Sequence, residues 1–346
     1  MFKLAKETKT LICIGTGGVG KTTLAASLGV GIANEGKKVL VLTIDPSLRL
    51  AQALGIKIDG ELHQIKISGQ GELWSCVINH GKTFEYFIRA ASKQKGEAVE
   101  KLLKNRLYQQ LSGRLSGSQD FTSLVSLYRF VSSEEYDLVI LDTPPSQHTW
   151  NFLRAPEKIS NLFNEGIAKW FRDIDGEKTG VFKKILNLGT AQVLKALETL
   201  TGSQFIKELS AFFNVIQNWQ KPLENYVMNC HRLLTSSSTE FLLVTSLDPS
   251  RLSEAQKLSR EIKIQGYKLT SLVINRIPTW LETEVITVSP RIKELVLYYK
   301  SLENDLYSRM THFKNQLKVY KCFELRQNNE DVTSLQKNYD EIVLVD

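Results

Sequence analysis

The chain has 346 residues, 42% of them hydrophobic and 23% charged, with a formal net charge of +7. That length suits one large α/β domain with an inserted lobe, or two domains, and it buries enough core to need no disulfide or structural metal. No run of about 18 apolar residues is present, which excludes a spanning helix. The segment 1–10 is too polar for a secretory signal, so the composition predicts a cytoplasmic protein, free or peripheral at the membrane.

The first predicted strand is Thr10–Gly15. It runs into Gly15-Thr16-Gly17-Gly18-Val19-Gly20-Lys21-Thr22-Thr23, a GxxxxGK[ST] loop in the strand–turn–helix context that such a loop requires. Glycines let the backbone approach phosphates without a Cβ in the way. Backbone N–H groups of Gly17, Gly18, Val19, Gly20 and the first helical turn, with Thr23, then offer donors to an anion. Lys21 adds a cation for the β- and γ-phosphates, and the Thr22 hydroxyl supplies an oxygen for Mg²⁺. These residues predict binding of ATP with Mg²⁺. The helix that follows carries Leu24, Leu28 and Ile32 on one face and ends near Gly36.

A second strand, Lys38–Ile44, ends at Asp45-Pro46. Strand carboxyl ends converge on the ligand crevice of a parallel sheet. Asp45 can orient an attacking water or take its proton; equally, it can cap a turn before Pro46. A third strand spans Leu73–Ile78. The stretch 83–131 reads as helices broken by a Gly/Ser-rich segment at 112–118. Asp137–Asp142 then forms a strand ending in an acid, the form of a Walker-B strand, and Asp142 is placed to hold Mg²⁺ through water. Residues 151–234 read as mostly helical. Further strands follow at Phe241–Thr245, Leu269–Asn275 and Leu317–Phe323, with helix over 279–316 before the last of them.

Continuous apolar strands separated by helices predict an α/β, doubly wound, mostly parallel sheet with an inserted helical subdomain. The boundaries expected are a core over 1–82, a helical insertion over 83–131, core again with Walker B over 132–155, a helical subdomain over 156–236, and the rest of the core over 237–346. The four cysteines, Cys13, Cys76, Cys230 and Cys322, form no CxxC pair, so a zinc or redox site of that kind is not expected within the chain. Cys13 and Cys76 fall in strands and read as core. Basic residues are scattered, with no run of five or six like charges, and no clear nucleic-acid site emerges.

Beyond the phosphate loop, the segments TIDPSLRLAQALG (43–55), DTPPSQHTWNFLRAPEKI (142–159), FLLVTSLDPSRLSEAQKLSREI (241–262) and SLVINRIP (271–278) resemble the arsenite-pump and tail-anchored-protein-targeting ATPases. These are deviant Walker-A P-loop proteins, and the segments DPSLRLAQALG and DTPPSQHTWNFLRAPE look like their bacterial ArsA-related branch. The resemblance implies that Asp45 positions the catalytic water, that 43–55 is switch I and 142–155 switch II, and that Asn275 reads the adenine edge with Arg276 nearby. His148 matches a histidine of the second switch.

The chain departs from the family pattern in four places. Thr16 stands where the family's signature lysine reaches across a dimer, and loss of a trans cation costs phosphoryl transfer about 10³–10⁵-fold by analogy with arginine fingers. The zinc-binding CxxC is missing. Only Cys230 lies near the helical lobe, so no arsenite-binding cysteine cluster forms. Three methionines, Met1, Met228 and Met310, make no Met-rich groove.

The function expected is a Mg-ATP-dependent ATPase, slow as a homodimer, that acts as a switch in protein targeting, chaperoning or membrane-associated regulation. Its partners would be a second copy or a paralogue, and a protein client. A partition-like ATPase holding DNA is the alternative, with an arsenite-pump subunit behind it. A cluster-carrying reductase is disfavoured, because 142–155 contains no cysteine.

Overall fold

The computed structural model describes residues 2–44, 51–52, 54–92, 99–100, 103, 119–143, 152–153, 220–279, 289–314, 317–324 and 331–345. Its centre is a nine-stranded sheet: β1 Thr10–Gly15, β2 Lys38–Thr43, β3 His63–Ile65, β4 Glu72–Val77, β5 Leu138–Asp142, β6 Thr239–Thr245, β7 Leu269–Ile277, β8 Lys318–Phe323 and β9 Ile342–Leu344. Seven described helices accompany it: α1 Lys21–Asn34, α2 His80–Ser92, α3 Gln119–Ser132, α4 Gln220–Thr235, α5 Pro249–Ile264, α6 Pro290–Lys314 and α7 Val332–Asp340.

The strand order is β3-β4-β2-β5-β1-β6-β7-β8-β9. All neighbours run parallel except the two outermost pairs, β3 with β4 and β8 with β9. The α/β, mostly parallel architecture read from the apolar runs is therefore the one observed. β1 lies at the switch point: the chain leaves it for β2 on one side, and β6 lies on the other. In such sheets the ligand crevice opens at the carboxyl end of that strand.

Every residue of β1, β5 and β6 is buried, as expected of strands covered on both faces. Two strands escaped the sequence reading. β3 contains a single apolar residue, and β9 leaves Val343 and Leu344 half exposed, so neither produces a continuous apolar run. β6 starts at Thr239, two residues before Phe241, because Glu240 is buried with partners. It accepts hydrogen bonds from Thr8 Oγ1 (2.7 Å) and Thr270 Oγ1 (2.9 Å), and Lys268 Nζ lies 3.5 Å away. A paired carboxylate can be buried where an unpaired one cannot.

The one-faced pattern expected for α1 is only half of what the structure holds. Leu24, Leu28 and Ile32 are buried, but so are Ala25, Ala26, Ser27, Val30 and Ala33. Strands cover one side, where a Cβ on Gly29 would come within 2.4 Å of Val41, and α7 covers the other. Asn338 Nδ2 donates to Ser27 Oγ (3.0 Å), and Tyr339 Oη donates to Glu35 Oε1 (2.6 Å). Between them, Gly31 lies flat against the Tyr339 ring, where a Cβ would come within 2.2 Å of ring carbon. Ser27, Gly31 and Glu35 recur every four residues, which makes one helical face.

Two compact units divide the chain. The first, Met1–Asn79 with Ser126–Asn151 and Arg232–Asp346, contains the sheet. The second comprises His80–Val125 and Phe152–His231. Its described residues are helical, and Phe87 meets Phe121 (4.9 Å) and Tyr226 (5.3 Å) edge-on, a favourable geometry for aromatic rings. Of 151–234, read as helical, residues 152–153 and 220–234 are described and are helical. All four cysteines are buried thiols.

Candidate functional site

The phosphate loop leaves the carboxyl end of β1 and enters α1 at Lys21. Gly15 lies so close to β6 that a Cβ would come within 2.1 Å of the Val244 carbonyl oxygen. Gly18 and Gly20 have φ of 75° and 82°, the left-handed region that glycine enters without a Cβ penalty. A Cβ on Gly20 would also fall 2.6 Å from Asn275 Nδ2. Gly17, Thr22 and Thr23 are half-buried and Gly18 is exposed, so the crest of the loop reaches solvent while Val19 is tucked in.

Lys21 is buried, and its Nζ donates to the carbonyl oxygens of Gly15 (3.0 Å) and Thr16 (2.8 Å). Burial pulls its ammonium below the usual lysine range, and the Asp142 carboxylate opposes that shift. Asp142 ends β5, directly beside Cys13 of β1 and Thr43 of β2. Its Oδ2 accepts hydrogen bonds from Thr22 Oγ1 at 2.6 Å and Thr43 Oγ1 at 3.1 Å. The first turn of α1 is thereby tied to the end of the Walker-B strand. Next along the chain, Thr143 Oγ1 donates to the Cys13 carbonyl (2.7 Å). Burial, then Asp142, pushes the Cys13 thiol far above its ordinary range, so it stays protonated.

A hydroxyl and a carboxylate oxygen side by side at the phosphate end of the sheet fit a small hard cation, which takes few protein oxygens and completes its shell with phosphate and water. Thr22 and Asp142 are the residues that would hold it.

Asn275 and Arg276 also converge here. Asn275 Nδ2 donates to the Val19 carbonyl (2.8 Å), and Arg276 Nη1 donates to the Gly18 carbonyl (3.1 Å). The residues read as an adenine-edge pair are thus joined to the loop itself. Thr16 is wholly buried, and its Oγ1 has no hydrogen-bond partner among the described residues. Buried in this way, it has no exposed hydroxyl to stand in for the signature lysine. Asp45, Arg49 and His148 lie outside the described residues.

Sequence reasoning missed Thr43 and Thr143. Thr43 was readable only as the one polar side chain closing the apolar run of β2. Its bond to Asp142 depends on β2 and β5 being neighbours, which no local pattern encodes.

The family model for anion-transporting ATPases matches residues 8–321. This chain belongs to that family. It is an ATPase, and nucleotide binding comes with the family. Among curated relatives, ATPase GET3 of Malassezia globosa is 32% identical over 160 residues, 46% of this chain and 46% of that protein. ATPase get3 of Aspergillus terreus is 24% identical over 263 residues, covering 76% of this chain and 71% of its own length. ATPase asna-1 of Caenorhabditis elegans is 24% identical over 288 residues, covering 78% and 76%. The match runs through the phosphate loop, the Walker-B strand and β7 together. Among the described residues, no helix is long and apolar enough to cross a membrane.

Proposed function

We propose that this anion-transporting-ATPase family member is a nucleotide-driven switch that binds ATP at Gly17–Thr23, hydrolyses it, and uses the cycle to capture and release a protein client in targeting, chaperoning or membrane-associated regulation. The observation that carries the reading is the junction at the switch point of the sheet, where the Thr22 hydroxyl meets the Asp142 carboxylate beside a glycine loop.

In this reading the loop amides of Gly17, Gly18, Val19 and Gly20 and the N-terminus of α1 bind the phosphates. Lys21 moves from its two carbonyl partners to the β- and γ-phosphates. Mg²⁺, held by Thr22 and, through water, by Asp142, would neutralise charge on the phosphate oxygens. Asp45 orients the attacking water or takes its proton. Asn275 contacts the adenine edge, with Arg276 nearby. Segments 83–131 and 156–236 form the helical lobe that meets the client, and the working unit is a dimer with a second copy or a paralogue.

Lys21→Ala tests the site. We expect nucleotide binding, followed by calorimetry, to be lost while circular dichroism and the unfolding midpoint show a folded protein. Binding and hydrolysis at the wild-type level would refute the assignment.

A further inference from the structure

We infer that Asn275 and Arg276 are braces of the phosphate loop: they hold the Gly18 and Val19 carbonyls outward and so keep the loop's amides presented to phosphate, whatever base the nucleotide carries. The inference rests on the nucleotide-site reading above and adds to these two residues a role separate from base contact.

The path of β7 prepares them for it. Its register with β8 shifts between Ile274 and Ile277, the position where these two residues leave the regular ladder. A bulge of this kind re-aims side chains. Arg276 has φ 58°, a left-handed conformation uncommon for a long side chain, and such outliers collect at functional sites. From there the two side chains reach consecutive carbonyls, Arg276 to Gly18 at 3.1 Å and Asn275 to Val19 at 2.8 Å. Asn275 is buried as it does so.

The consequence is electrostatic. Peptide dipoles in a phosphate loop help only if their N–H ends face the anion and their C=O ends do not. Four loop carbonyls have a side-chain donor: Gly15 and Thr16 share Lys21, Gly18 has Arg276, and Val19 has Asn275. Lys21 is expected to leave its two carbonyls for phosphate. Asn275 and Arg276 come from a different strand, so they can stay. Gly20 completes the arrangement, since the Asn275 amide occupies the space a Cβ would need.

The experiment compares wild type, Asn275→Ala, Arg276→Ala, Arg276→Gly and Arg276→Lys. Calorimetry measures binding of ADP, GDP and inorganic pyrophosphate. Hydrogen exchange on the nucleotide-free protein follows the amides of 18–21. Arg276→Gly removes the side chain while relieving the left-handed backbone, so it guards against a variant that fails to fold. We expect the Ala and Gly variants to weaken pyrophosphate by about 3- to 10-fold, for loss of one hydrogen bond, charged and exposed at Arg276 and neutral and buried at Asn275. The ADP-to-GDP ratio should stay unchanged in the Arg276 variants, whereas Asn275→Ala, which also gives up the adenine-edge contact, should lower it in addition to weakening pyrophosphate. Loop exchange should rise about fivefold or more.

A collapse of the ADP-to-GDP ratio with pyrophosphate binding intact would assign the pair to the base and overturn the inference. Full recovery of pyrophosphate binding in Arg276→Lys with exchange still fast would assign Arg276 to phosphate directly, and would also overturn it. If wild type bound none of the three ligands, the nucleotide-site reading would fall, and loop exchange would still decide whether the braces exist.

Discussion

A methyl group added at Gly20 would sit 2.6 Å from the Asn275 amide nitrogen, so a residue of the loop and one about 250 positions later share one small volume. Several site residues work through such distant partners, and Thr16 shows the reverse case. Its hydroxyl is buried with no partner among the described residues, and a buried unpaired hydroxyl is a cost rather than a gain. Thr16→Val keeps the shape and removes that cost. We expect it to raise unfolding stability by about 1 kcal/mol, read by urea denaturation, with nucleotide affinity unchanged. A loss of ATP turnover in this variant would show instead that the hydroxyl takes part in the reaction. Asp45 belongs to the same scale, although it lies outside the described residues. Asp45→Asn should leave nucleotide affinity near the wild-type level and slow hydrolysis by about 10²-fold or more, within the range of general-base catalysis. Single-turnover kinetics separates the two effects, and undiminished turnover would remove Asp45 from catalysis.

At the scale of elements, α1 is held from both sides, and its glycines decide how closely. Gly31→Ala brings two effects of opposite sign. Helix propensity favours alanine by about 1 kcal/mol. Against it, a Cβ 2.2 Å from the Tyr339 ring must push α7 away, and overpacking costs about 1–3 kcal/mol. The clash falls on the ring carbons nearest the backbone rather than a flexible tip, so the net effect should be destabilising. In a double-mutant cycle by urea unfolding, Gly31→Ala should become favourable when combined with Tyr339→Ala. If it destabilises equally in both backgrounds, the contact with α7 is not the cause.

Helix α5 offers a pH-dependent case. Asp248 is its N-cap, accepting from Arg251 N at 3.0 Å, with Pro249 following. Hydrogen bonds from Ser250 and then Arg251 hold the carboxyl below its ordinary range. A depressed folded-state value means that the stabilisation is present above the unfolded carboxyl range, near pH 4, and lost as pH falls through the lower folded value. Asp248→Ala should therefore cost about 1 kcal/mol at pH 7, and the difference from wild type should shrink below about pH 4. A difference independent of pH would mean that the cap does not act through its charge.

For the whole molecule, assembly bears directly on turnover. Family resemblance implies nucleotide sites facing each other across a two-fold axis, and Thr16 takes away the cation expected to cross it. We expect a non-hydrolysable ATP analogue to promote dimerisation in sedimentation experiments, and turnover by this chain alone to be low. Arg49 of switch I, or a paralogue's basic residue, could restore the missing charge. A strict monomer at high concentration in both states would indicate that the relevant dimer needs another chain. Brisk turnover by a proven monomer would refute the requirement for a trans cation.

The phosphate loop, the Walker-B strand and the parallel α/β class were determined by sequence alone, because each depends on local rules. Glycine spacing sets which backbone shapes are accessible, and a short continuous apolar run bounded by turn residues suits a strand buried on both faces. Thr10–Gly15, the loop and Asp142 accordingly stand where they were read. Tertiary structure alone decided the contacts between segments far apart in the chain. The bonds from Thr22 and Thr43 to Asp142 exist because β5 is inserted between β1 and β2. Helix α1 is buried nearly all round because α7 returns to it from the far end of the chain, through one tyrosine and one asparagine that no periodicity marks. Asn275 and Arg276 touch the loop because β7 bulges at that position. These contacts depend on strand order and register, which balance long-range packing against chain entropy and so have no signature in any short window of sequence.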